Sequence, residues 1–365
     1  MKIKDLLGLF ELYAPSMIQE SYDNSGLAIG NPNNEINSGL ICLDITEEII
    51  EEAIQDKHDI VISHHPVIFT GLKKITGKSS IERIVLKAIK NDIAILSLHT
   101  NLDNVLNGVN GINAEKLGLK NPEILKPKEG LLKKLVTFCP IDKADQVREA
   151  IFSSGAGHIG SYDNCSFNLF GTGSFRGDDS TNPYLGEKGS IHFEDEVRIE
   201  TIYPVYKEKE ILRTLFEAHP YEEVAYDLYP LTNVFNKIGA GIIGELPERM
   251  DEKNFLELLK KAFKVKVIKH SKFLNKKISK VAFCGGSGSF LINDAKAKAA
   301  DVFVSGDIKY HQFFDAEDKI LIVDIGHYES EQYTKELIFS IINKKFTNFA
   351  LRISESITNA IDYYI

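Results

Sequence analysis

A chain of 365 residues with 43% hydrophobic and 26% charged residues is long enough for two ordinary domains, and its make-up is that of a globular protein, neither disordered nor fibrous. Lys plus Arg number 43 against 52 Asp plus Glu, and the net charge of -9 leaves no electrostatic footprint for nucleic-acid polymers. Cys42, Cys139, Cys165 and Cys284 are widely spaced without a CxxC pair, which argues against a zinc ribbon or a disulfide framework and fits a cytoplasmic protein.

The opening MKIKDLLGLFELYAP reads as an amphipathic helix, because Asp5 and Glu11 interrupt the apolar run a targeting segment would keep. No uncharged stretch approaches the ~18 residues of a membrane span. The first third then alternates β-branched runs with charged amphipathic stretches, the pattern of an α/β domain with a largely parallel sheet. Strands are predicted at 39–43, 59–63 and 93–98, with crossover helices at 46–56, opened by a Thr cap, and 79–90, opened by SSIE. From 133 to 229 the order becomes strand, helix, strand, strand, helix, strand, the succession of a ferredoxin-like α+β module. The last third returns to the first style. Strands are predicted at 280–284, 302–305, 319–324 and 348–354, with helices at 291–299, 310–316 and 329–344.

The flanks LKNPEILKPKEG and NVFNKIGAGIIGELPE carry Pro and Gly and read as linkers. The fold class that follows is a split α/β core with a mixed sheet, halves at 1–126 and 234–365, interrupted by an inserted module at 127–233. Three consecutive independent domains would leave each outer third holding part of one site.

That site is written at strand ends. His64 and His65 close the run DIVIS before Pro66, and strand carboxyl ends are where open α/β sheets place ligands. The next strand ends with His99 and then Asp103. Far along the chain, ILIVDIG ends with His327, and Glu331 follows at i+4 on the same helix face. Imidazole with carboxylate suits Zn, Fe, Mn or Co. Three histidines and two carboxylates exceed the needs of one tetrahedral ion and suit two divalent ions sharing a carboxylate and a water, a pair that activates hydroxide for hydrolysis.

Around them, Asp307 and His311 at i+4 offer outer support or a proton, as does His99. Asp23 and Asn24 orient a ligand or build a turn. Phe283–Phe290 (FCGGSGSF) follows a strand and opens a helix, where phosphate cradles form, but it lacks a Walker Lys and a complete GxGxxG.

SYDNSGLAIG, SHHPVIF, HTNLDN, FCGGSGS, SGDIKYHQFFDA and DIGHYESE, in this order, resemble the GTP cyclohydrolase 1 type 2 homologue family, also called interacting-factor-3-like. The resemblance implies a dinuclear metal site on His64, His65, Asp103, His327 and Glu331. It also implies a middle insertion similar to P-II and CutA-type modules, whose final segment HPYEEVAYDLYPL resembles, and a ring-shaped homohexamer. Tyr22 stands where many members carry Trp. The function expected is a metal-dependent hydrolase acting on a small molecule such as a nucleotide or phosphorylated compound, with His99 or His311 shuttling protons. The competing class is a non-catalytic metal-delivery or regulatory protein whose module senses a small ligand.

Overall fold

The computed structural model describes residues 1–364. No helix among them is long and apolar enough to cross a membrane. The chain divides into two compact units: Met1–Pro127 together with the chain from Asn236 onward, and Lys128–Phe235.

The first unit holds two sheets. In one, the strand order is Gly26–Ile29, Ala94–Ser97, Ile60–Ser63, Ser38–Cys42 and Ala350–Ile353. All pairings are parallel except that of the first strand, which is antiparallel. Ile60–Ser63 and Ala94–Ser97 are buried at every position, as strands covered on both faces must be. Thr46 and Ser79 cap the crossover helices Glu47–Gln55 and Ser80–Lys90 by accepting the N–H groups of Ile49 and Glu82. Register pairs Ser63 with Ser97, and their hydroxyls lie 2.8 Å apart. The segments that begin at His64 and His99 therefore leave the sheet side by side.

The other sheet runs Lys269–His270, Leu321–Asp324, Val302–Gly306, Lys277–Ser287, Phe235–Asp251 and Lys120–Lys128, with its central three strands parallel. Its last two strands correct the sequence reading, which took both segments for linkers. Pro122 and Pro127 lie on an edge strand, where a missing N–H costs no inner ladder bond. Pro247 falls where the register shifts between Glu245 and Met250. Gly239 permits the close approach to the edge strand, since a Cβ there would lie 2.1 Å from the Lys126 carbonyl oxygen.

The long helix expected over 329–344 is two pieces, His327–Glu331 and Thr334–Lys345. Tertiary bonds fix the break: the Gln332 amide donates to Phe263 O and the Tyr333 hydroxyl to Ala262 O. The segment 310–316 is a 3-10 helix, and 292–297 is a short α-helix preceded by a 3-10 turn.

In the second unit, strand Leu132–Pro140, helix Ala144–Ser153, strands Phe167–Phe175 and His192–Pro204, helix Glu208–Ala218 and strand Tyr226–Leu231 follow one another. The sheet order is Phe167–Phe175, His192–Pro204, Leu132–Pro140, Tyr226–Leu231, and every pairing is antiparallel. Leu135, Val147, Ile151, Val197, Ile199, Ile211 and Leu215 form a core between sheet and helices.

Candidate metal centre

His64 follows the fully buried strand Ile60–Ser63 and is itself fully buried. Its Nδ1–H donates to Leu98 O at 2.8 Å, which leaves the Nε2 lone pair facing inward, 3.7 Å from both Asp103 Oδ1 and Glu331 Oε1. His65 places Nδ1 2.7 Å from Asp44 Oδ1 and Nε2 3.0 Å from Glu331 Oε2. His327 repeats this arrangement from the other sheet, with Nδ1 2.7 Å from Asp307 and Nε2 3.0 Å from Glu331 Oε2. The His65 and His327 Nε2 atoms are 3.3 Å apart. Glu331 thus turns one carboxylate oxygen toward His64 and the other toward His65 and His327.

Three overlapping sets have donor atoms within 4.8 Å of one another: His64, His65 and His99; His65, His327 and Glu331; His64, Asp103 and Glu331. The chemistry of these donors fits divalent transition metals. His64 Nε2 is buried and lacks a hydrogen-bond partner, a costly state that a cation relieves, while Glu331 Oε2 faces only the Nε2 atoms of His65 and His327. His64, His65 and His327 have their outward nitrogens held by a carbonyl or carboxylate, as metal-ligating imidazoles require.

The electrostatics agree with an acidic cradle. Burial disfavours charge on His65, but the hydrogen bonds it donates to Asp44 and Glu331 outweigh it and push the imidazole up to about 10. For His327, burial is likewise outweighed by Glu331 and Asp307, and its value rises to about 9. Burial keeps His64 below its ordinary value. Asp103 is pushed up by burial and by the charge of Glu331. Burial opposes ionisation of Glu331, yet the surrounding histidines hold it well below the usual carboxylate range.

The glycine-rich turn takes its meaning from Glu331. A Cβ on Gly286 would sit 2.2 Å from Glu331 Oε1, and the Gly286 N–H donates to Ser330 Oγ at 2.9 Å. The glycines let the carboxylate come close, and the α-helix beyond them has only six residues.

His99 joins the cluster, its ring centroid 5.3 Å from those of both His64 and His65. Its Nδ1 lies 2.7 Å from Asp23 Oδ1, while Asp23 Oδ2 accepts the Thr100 N–H at 3.0 Å. Asn24 ties loops, donating to Ile68 O at 2.6 Å. His311 stands apart: it is exposed, packs on Tyr310 and Phe314, and belongs to none of the three donor sets. Sequence reasoning missed Asp44. An acid two residues after the strand Ser38–Cys42, at the same strand ends as His64, was its readable signal.

A family model for Duf34/NIF3 (NGG1p interacting factor 3) matches residues 1–360. The chain belongs to the DUF34/NIF3 family. It is 43% identical over 324 residues to a protein of Halalkalibacterium halodurans called GTP cyclohydrolase 1 type 2 homolog, covering 88% of this chain and 87% of that one. A Bacillus subtilis protein of the same name is 38% identical, with 98% and 97% covered. Among solved structures, a Bacillus cereus protein related to NIF3 superposes with a TM-score of 0.87 at 40% identity, over 100% of this chain and 99% of that one.

Proposed function

We propose that this NIF3-family chain is a hydrolase that works with two divalent metal ions, one held by His64, Asp103 and Glu331 and the other by His65, His327 and Glu331. The buried His64 Nε2, which has no hydrogen-bond partner and faces the Asp103 and Glu331 carboxylates at 3.7 Å, carries this reading, since a purely structural cluster would pair it internally. A bound ion pair supplies Lewis-acid polarisation and an activated water. The chain itself supplies orientation: Asp44, Asp307 and Leu98 O fix the imidazoles, and Gly286 leaves room for Glu331. His99, with Nδ1 held by the ionised Asp23, offers its other nitrogen as the proton carrier. The relatives called GTP cyclohydrolase 1 type 2 homolog make a nucleotide or related phosphorylated small molecule the substrate class to try first.

The strand order of the second unit supports a ferredoxin-like insertion at about 127–233, and four free cysteines support a cytoplasmic setting. A homohexamer follows from the family resemblance and is measurable by mass photometry.

The test of activity is to purify the protein with its native metal, count ions per chain, and assay GTP, other nucleotides and phosphoesters beside His65→Ala and Glu331→Ala. About two ions per chain and turnover lost in both variants are expected. Fewer than about one ion, unchanged by the substitutions, overturns the dinuclear reading. Full metal content without turnover favours a metal-delivery or regulatory role.

A further inference from the structure

We propose that Tyr22 and Phe69 form an aromatic platform at the rim of the metal centre, and that it takes a planar heteroaromatic ring whose attached anionic group reaches the metals. The anionic half rests on the metal-centre reading. The ring half rests on the two side chains.

Tyr22 is 64% exposed and Phe69 46%, although both rings sit beside a donor cluster that contains the fully buried His64. Their centroids are 6.2 Å apart at an interplanar angle of 35°, and Phe69 packs edge-on to His99 at 6.1 Å. His99 in turn touches the His64 and His65 rings, so the path from platform to donor atoms is one imidazole wide.

The sequence fastens both rings to the site. Phe69 lies four residues after His65, and Tyr22 directly precedes Asp23, the partner of His99. The Asn24 amide, donating to Ile68 O at 2.6 Å, locks the two loops together. Single exposed aromatics are ordinary on protein surfaces. Tyr310 and Phe314 are such a case, being more exposed still but in contact with each other and His311, not with the donor cluster. An open aromatic pair touching a buried donor cluster has a use: a ligand ring covers it while the anion stays at the cations. Stacking of this kind tolerates any base, since every base offers a π face, whereas the anion sets the distance to the ions.

Calorimetric titration of the metal-loaded protein with guanosine 5′-monophosphate, adenosine 5′-monophosphate and ribose 5-phosphate isolates the ring, because all three carry the same phosphate. Both nucleotides are expected to bind ~5- to 100-fold more tightly than ribose 5-phosphate. In a Tyr22→Ala, Phe69→Ala double variant this preference should shrink to about twofold or less, with ribose 5-phosphate affinity and metal content unchanged. A Phe69→Tyr variant should retain it, which separates stacking from simple filling of space. Equal affinity of the three compounds in the wild-type protein, absence of binding by any of them at full metal content, or a preference surviving the double substitution overturns the platform. Metal analysis of the same samples keeps the two readings apart, because a protein without metal fails the centre, while a metal-loaded protein without ring preference fails only the platform.

Discussion

In the second unit, buried His219 donates through Nε2 to Phe138 O at 2.9 Å and accepts the Tyr221 N–H at Nδ1, 3.1 Å away, while Glu196 accepts the Tyr221 hydroxyl at 2.9 Å. In the first unit, His64 and Glu331 are comparably buried, His65 and His327 are partly exposed, and the three imidazoles are held on their outward nitrogens, yet Nε2 of His64 has no hydrogen-bond partner. The ingredients are alike. What differs is closure: the first network pairs both His219 nitrogens and the Tyr221 hydroxyl within the fold, and the second keeps donor atoms converging on one point. A buried polar cluster is informative about ligands through the atoms it leaves over, because leaving them over costs free energy that only a bound cation returns.

The contrast breaks most sharply at Glu331. Glu331→Ala should weaken metal binding more than ~100-fold and abolish the drop in Tm that a chelator causes in the wild type, as metal analysis and calorimetry can show. His219→Ala should do the converse. It strips one side of a closed network and should cost about 1–3 kcal/mol of stability in denaturant melts, with metal content untouched. Metal lost in the His219 variant, or kept in the Glu331 variant, would erase the distinction between the two clusters.

Asp44→Asn is the next largest. The amide keeps the size but removes the charge that fixes the His65 tautomer, and metal affinity should fall ~10- to 100-fold while the fold persists. Unchanged affinity would reduce Asp44 to a strand-end acid.

Titration of the metal-free protein sharpens the same point. His65 and His327 have folded values raised from 6.5 to about 10 and about 9, so their protonated forms are favoured by the fold. That stabilisation is complete below about pH 6.5 and is lost as pH rises through about 9 and then about 10. Metal-free Tm should therefore decline across this window. With ions bound the imidazoles are already neutral, so the loaded protein should show no such decline, and loading near pH 7 should release protons in calorimetry run in buffers of different ionisation enthalpy. Parallel Tm curves for the two forms would mean that the cluster is not a metal centre.

How much of this was legible depends on where the physics is local. His64 and His65 follow a β-branched run, and His99 and Asp103 follow another, so only the parallel register was needed to align them. His327 and Glu331 share a face because 327–331 is an α-helix. Asp307 and His311 have the same spacing, but Asp307 lies before the 3-10 helix 310–316 in a left-handed backbone conformation, so no helix face joins the two, and His311 turns outward. Asp307 instead reaches the His327 ring, a contact spanning 20 residues. Asp44 was missed for a related reason: it acts through a bond to a residue 21 positions away, and alone it looks like any acid before a capped helix. The Pro- and Gly-rich flanks misled because composition cannot distinguish a linker from an edge strand, where the same residues are tolerated.

The smallest expected effect lies furthest from the proposed metal ligands. Asp44 has a second oxygen, and the hydroxyl of Thr358 donates to it at 2.8 Å. Thr358 belongs to the segment beyond the last strand, which is also fastened through Ser354 and Ser356 to Glu52, at 2.6 and 3.0 Å, and through Asn359 to Glu329 at 3.2 Å. Those neighbouring contacts should hold the segment in place when Thr358 is replaced by the nearly isosteric Val, so the substitution removes one hydrogen bond and little else. A hydrogen bond to a carboxylate is worth ~1.5–3 kcal/mol when both partners are well placed, but Asp44 keeps its bond to His65 and gains solvent access, which leaves a loss of about 1 kcal/mol or less for metal binding. Thr358→Val should therefore lower metal affinity by ~fivefold or less, below the Asp44→Asn effect, and in the Asp44→Asn background it should add almost nothing. Additive losses in that double-mutant cycle would show Thr358 acting on the centre by a route other than Asp44.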